Sequence, residues 1–217
     1  MKFKLKSFML SWMIFIVFVG GYNGALVVPD SEPSNGREWK DQARETLNEI
    51  LATKERNSKA KNVILFIGDG MDGATVTAAR ILKGQKKGNS GPEDSLEWDQ
   101  FRYVALSKTY NTDEQVPDSA GTATAYVGGA KTRAGVIGYD ENVKRGQCST
   151  EAERYKVESF LTVGGRSGFA VGIVTTTRIT HASPAATYAF SVERDWEASA
   201  DGDCQDIASQ LVNNDHG

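Results

Sequence analysis

An acid and a hydroxyl stand side by side in VPDSAGTATAY, residues 116–126, directly after Pro117. Asp118 and Ser119 open what reads as a helix, and small residues fill its next turns. A serine at a helix N-terminus sits in the positive end of the helix dipole, beside unpaired backbone N–H groups. That environment favours a phosphate dianion, and it favours an alkoxide over a neutral hydroxyl. Plain N-capping by Asp118 or Ser119 accounts for the same residues and, taken alone, is the commoner arrangement. The AGTATA run either packs closely in a core or leaves room for a tetrahedral group and metal ions near the backbone.

Four other residues bear on the same chemistry. Asp69 lies between Gly68 and Gly70 after an apolar run. A carboxylate with backbone room on both sides suits a hard or borderline cation, and a turn aspartate capping the next helix is an equal alternative. In TTTRITHASPAATYA, 175–189, His181 and Ser183 alternate with small or apolar residues, so the two can face one side. Without other support these are ordinary loop residues. Arg194, in SVERDW, offers the bidentate fork that phosphate recognition prefers, although a surface arginine is the usual case. A Ser–His hydrolase fits poorly, because there is no G-x-S-x-G and only His181 and His216 could act as base.

The elements that must position these residues follow from the hydrophobic pattern. The continuous apolar run 63–67 suits a buried strand, and 102–111 and 168–177 read as two more. Helices are expected over 74–84 and 119–130, within ESFLTVGGRSG, and over 204–214. The alternation predicts an α/β fold with a mainly parallel central sheet flanked by helices. In such sheets ligands gather at the carboxyl ends of strands, where Gly68-Asp69-Gly70, the Asp118-Ser119 stretch and 177–184 fall. EWKDQARETLNEILATKE, 38–55, has an apolar stripe at helical spacing, and packing on its own domain is the expectation.

Length and composition set the limits. The 217 residues suffice for one domain with a sizeable core, and 40% apolar with 24% charged residues is an ordinary globular balance. A net charge of -3 gives no general attraction to nucleic acid. Lys2, Lys4 and Lys6, then a short apolar stretch and small residues, read as a signal peptide over 1–25, with an uncleaved anchor as the alternative. Residues 26–37 read as a linker and 38–217 as the folded body. The only cysteines, Cys148 and Cys204, suggest one disulfide in an oxidising compartment, with two buried thiols as the alternative. Two cysteines and two histidines cannot build a zinc-finger site.

Taken together, GDGM, VPDSAGTATAY, TTTRITHASPAATYA and CQDIA resemble the alkaline phosphatase family, its animal branch in particular. ARILKGQ and YVALSKTYN strengthen the likeness, which runs from about residue 38 to the end. The resemblance implies that Ser119 is the nucleophile that becomes phosphoserine. It implies that Asp69 bridges a zinc and the magnesium, that Ser183 is a magnesium ligand, and that His181 stands beside that site. Arg194 matches the arginine that clamps phosphate, Asp118 the acid that orients it, and Cys148 and Cys204 a bridged pair. Two Zn2+ ions and Mg2+, small phosphate monoesters as substrates, a secreted or cell-surface location and a homodimer of the full-length form are implied in the same way.

Two departures stand out. Asp72 follows GDGM where the animal enzymes usually carry a small residue; it is either a turn residue or a tuner of metal affinity. The family's chains are also far longer. Their other zinc ligands, the magnesium glutamate and any lipid-anchor signal lie in the later part, and His216 matches no ligand. The resemblance therefore implies an N-terminal fragment or truncated product, inactive on its own. The other function class is a non-catalytic secreted remnant that keeps a phosphate cradle. A sulfatase or phosphodiesterase is disfavoured by the Asp-Ser pair and the HASP block.

Overall fold

The computed structural model describes residues 35–54 and 58–213, together with the backbone of 15–19. The rest of the expected signal peptide, the linker up to residue 34 and His216 lie outside the described residues. Two compact units divide the chain, one within Trp12–Ser107 and the other carried by the residues from Lys108 onward. No helix among the described residues is long and apolar enough to cross a membrane.

In the first unit, β1 (Phe15–Val19) pairs antiparallel with β2 (Val63–Ile67), placing Phe15 opposite Ile67 and Val19 opposite Val63. Between them runs α1 (Gly36–Ala52), capped by Asn35, whose side chain accepts from the backbone N–H groups of Arg37 and Glu38. Its apolar stripe does not find the expected packing: Trp39, Leu47, Ile50 and Leu51 are all half or more exposed, and no residue of α1 is buried. After β2, α2 (Gly73–Lys86) starts at Asp72, whose carboxylate accepts from the Thr75 amide at 2.7 Å. Asp72 is thus an N-cap, and Lys83 and Lys86 complement the other end of the helix dipole. Arg80 on α2 grips Asp99 with two hydrogen bonds, at 2.7 and 2.6 Å.

The expected parallel central sheet is not found among the described residues. The one sheet there is the antiparallel β1–β2 pair, while 102–111 and 168–177 form no strands. Their apolar side chains stay open, with Val104, Leu106 and Val174 more than four-fifths exposed. The reason is physical. A parallel strand takes its hydrogen bonds from neighbours far along the chain and its burial from helices on both faces. Local β propensity supplies neither. β2 accordingly forms where the apolar run predicts it, yet Val63, Ile64 and Phe66 remain more than half exposed.

The second unit holds the better-developed core. It contains α3 (Ser119–Gly128), a 3-10 turn at Thr150–Tyr155, α4 (Phe160–Arg166), α5 (Ala182–Ala185) and α6 (Ile207–Asn213). Ala120, Ala123 and Val127 of α3 pack with Ile137, Ala182, Ala185 and Ile207. Small side chains let α3 and α5 approach closely, so the AGTATA run is core packing. A second cluster joins Val136, Tyr139, Val143, Ala152 and Val192. Ile137 and Ser191 exchange backbone hydrogen bonds at 2.8 and 2.9 Å, tying the segment after α3 to the segment that carries Arg194. Cys148 and Cys204 form a disulfide with a Cα–Cα distance of 5.8 Å. It closes a loop of 56 residues, contributing about 4 kcal/mol on the loop-entropy account.

Candidate functional site

In the second unit Arg194 reaches Asp118 at the head of α3 and His181 lies against Arg194, with Ser119 next to Asp118 in the chain, while Ser183, on α5, meets α3 through Tyr126 toward its other end. Asp118 is the N-cap and Ser119 the first helical residue. The alternatives of capping and chemistry therefore divide between the two: the carboxylate caps, and the serine sits in the positive end of the helix.

Asp118 does more than cap. Its Oδ1 accepts from the Gly121 amide and from Asn111 Nδ2, each at 3.0 Å. Its Oδ2 accepts from the Gly135 amide and from Arg194 Nη1, again each at 3.0 Å. The Arg194 and Asp118 side chains are 21% and 22% exposed, so the pair is sheltered but still open on one side. Burial pushes the Asp118 carboxyl up, but the Gly121 amide, the Arg194 guanidinium and the Asn111 amide outweigh it and hold the group below its ordinary value.

The chain around Arg194 is fixed independently. The Arg194 amide donates to Gly135 O at 2.8 Å, and the Gly135 amide reaches Asp118. Gly135 has φ +78°, and a Cβ there would run into the Arg145 guanidinium. The positive φ favours a glycine here. Arg145 clamps Glu193 through two 2.7 Å hydrogen bonds and lies 3.5 Å from Asp195. The residues on either side of Arg194 are thus anchored by a second arginine, which leaves Arg194 directed at Asp118.

His181 is the N-cap of α5, and its Nε2 lies 3.3 Å from Arg194 Nη2. Its Nδ1 lies 3.4 Å from the Ser183 amide. Arginine and amide are both donors, and a neutral imidazole has one acceptor nitrogen. His181 therefore accepts from one of them at a time, according to its tautomer. Glu197 secures the loop before it, accepting two hydrogen bonds from Arg178 and one from Thr180.

Asp69 belongs to the first unit, in the turn between β2 and α2. Among the described residues no three His, Cys, Asp or Glu side chains gather as a metal-holding group. Sequence reasoning did not single out Asn111 or Gly135. Asn111 reads as an ordinary turn residue in YNTDEQ, and its buried contact with Asp118 arises only when the loop folds against α3.

The family model for alkaline phosphatase matches residues 60–216. The tissue-nonspecific alkaline phosphatase of Gallus gallus is 51% identical over 198 residues, covering 88% of this chain and 38% of that protein. The tissue-nonspecific enzyme of Homo sapiens is 51% identical over 197 residues, covering 87% of this chain and 37% of its own length. This chain thus spans well under half the length of these curated relatives. A solved cold-active alkaline phosphatase from a psychrophilic Shewanella species matches with a TM-score of 0.50 and 25% identity, over 67% of this chain and 32% of that one. A family match over most of the chain, with half the residues identical to animal enzymes, makes this chain a member of the alkaline phosphatase family.

Proposed function

We propose that this chain carries the nucleophile and the phosphate clamp of a metal-dependent phosphomonoesterase that works through a phosphoserine. The observation that carries the reading is Arg194, held by Asp118 at the head of α3, with Ser119 as the first residue of that helix. Asp118 fixes one edge of the guanidinium, and Arg194 binds phosphoryl oxygens through its fork. The positive end of the α3 dipole favours the same anion. Ser119 Oγ attacks phosphorus, the bond to the alcohol oxygen breaks, and the alcohol leaves with a proton. Water then cleaves the phosphoserine, which releases inorganic phosphate and restores the Ser119 hydroxyl.

The donor chemistry fits part of a metal centre. In the second unit Ser119 and Ser183 offer hard oxygen ligands of the kind magnesium takes and His181 an imidazole that zinc accepts; Asp69, in the first unit, offers a carboxylate of the kind either metal takes. When bound with these residues, zinc and magnesium would supply the positive charge that lets the Ser119 hydroxyl ionise. A catalytic zinc normally has about three protein ligands, more than these residues supply to either zinc.

The test is inorganic phosphate binding by the zinc- and magnesium-supplied protein and by Arg194→Ala. Loss of a charge-assisted bidentate pair should cost about 1.5 to 3 kcal/mol, read as a much weaker dissociation constant and a smaller effect on folding stability. Equal affinities in the two proteins would remove Arg194 from the site.

A further inference from the structure

We propose that Asn111 is a positioning residue for the phosphate clamp: its side-chain amide holds the Asp118 carboxylate that in turn aims Arg194. The proposal rests on the reading of Arg194 as the phosphate-binding group.

Asn111 is 4% exposed, so its polar atoms must find partners inside the protein. Nδ2 donates to Asp118 Oδ1 at 3.0 Å. Chemistry settles which way the amide points, since only its NH2 end can donate to a carboxylate. Oδ1 then faces Gly121, where an added Cβ would collide with Oδ1 and come within 2.7 Å of Asn111 Cγ. The amide is wedged between the backbone of α3 and the carboxylate, with no room to turn over.

The loop that carries Asn111 is itself pinned. The Asn111 amide donates to Glu114 O and the Thr112 amide to Thr132 O, both at 3.0 Å. Asp113 Oδ1 accepts from the Ala134 amide at 2.9 Å. The same stretch, one residue on, delivers the Gly135 amide to Asp118 Oδ2. Both carboxylate oxygens are therefore held by one frame: Oδ1 by Asn111 and Gly121, Oδ2 by Gly135 and Arg194. Removing the amide takes one of the two hydrogen bonds from Oδ1, so the carboxylate plane is held less firmly and the Arg194 fork with it. Partners at this remove commonly matter tenfold or more where they orient a functional group.

The experiment is a double-mutant cycle read by inorganic phosphate affinity, with zinc and magnesium present and melting temperature recorded for each protein. Asn111→Ala is expected to weaken phosphate binding by about tenfold. Asn111→Asp keeps the volume but sets a carboxylate against Asp118, and it should weaken binding at least as much. In an Arg194→Ala background both effects should vanish. If Asn111→Ala does not fold, Asn111→Ser removes the same amide with a smaller loss of volume and takes its place in the cycle. A space-filling role would leave Asn111→Asp binding like the unaltered protein, and a general structural role would give the same loss with and without Arg194; either result overturns the proposal. Should Arg194→Ala alone leave affinity unchanged, the clamp reading fails and this inference falls with it. Should Arg194→Ala weaken binding while the Asn111 variants do not, only the inference falls.

Discussion

Asp118 accepts four hydrogen bonds, and their sources explain why one aspartate can both start a helix and orient an arginine. One oxygen is occupied by donors on the α3 side, the other by donors on the Gly135 side, so the carboxylate plane is fixed before any ligand arrives. Glu197 shows the same economy on the other flank. The two Arg178 hydrogen bonds hold its carboxyl at about 2, against burial and with help from Thr180, where the ordinary value is 4.5. The folded value is depressed, so this group stabilises the fold fully above about pH 4.5, and that contribution is lost as pH falls toward about 2. A carboxyl-carbon NMR titration of Glu197 should give a midpoint near the lower value, and Arg178→Ala should move it upward. A midpoint at the ordinary value in the unaltered protein would show that the Arg178–Glu197 tie does not form in solution.

At the scale of elements, what was legible in the sequence is what local physics decides. VPDSAGTATAY carries its own cap, its helix formers and its small packing surface, and α3 follows at the expected place. GATVTAARILKG likewise gives α2, with Asp72 settling into the N-cap. The juxtaposition of Asp118, His181 and Arg194 was legible because several multi-residue blocks occur in one order. The strands expected at 102–111 and 168–177 were misread for the opposite reason. YVALSKTYN and GFAVGIVTTT have strand-like composition, but a ladder needs partners distant in sequence, and among the described residues none pair with them. Asn111 was missed because nothing in YNTD distinguishes a solvated turn amide from one buried against a carboxylate.

On the scale of the whole molecule, the ligand inventory governs activity. Asp69, Ser119 and Ser183 offer oxygen, His181 offers nitrogen, and this chain spans 38% of the length of a curated relative. In the mechanism proposed here a full zinc centre would lower the pKa of the Ser119 hydroxyl and supply the leaving oxygen's counter-charge. Residues 1–217 alone should therefore show no appreciable turnover of a chromogenic phosphate monoester at alkaline pH with zinc and magnesium added. Turnover near that of a whole animal enzyme, with two zincs bound per chain, would show that the inventory is wrong.

Ser119 is proposed as the nucleophile that accepts the phosphoryl group, and covalent labelling tests this most directly. A catalytically active form containing this chain, incubated with labelled phosphate at low pH and quenched in acid, should carry the label on the peptide that includes Ser119. The label should be absent from Ser119→Ala, although Arg194 and Asp118 are intact in that variant. Stoichiometric label on Ser119→Ala, or label mapped to another residue, would contradict the account.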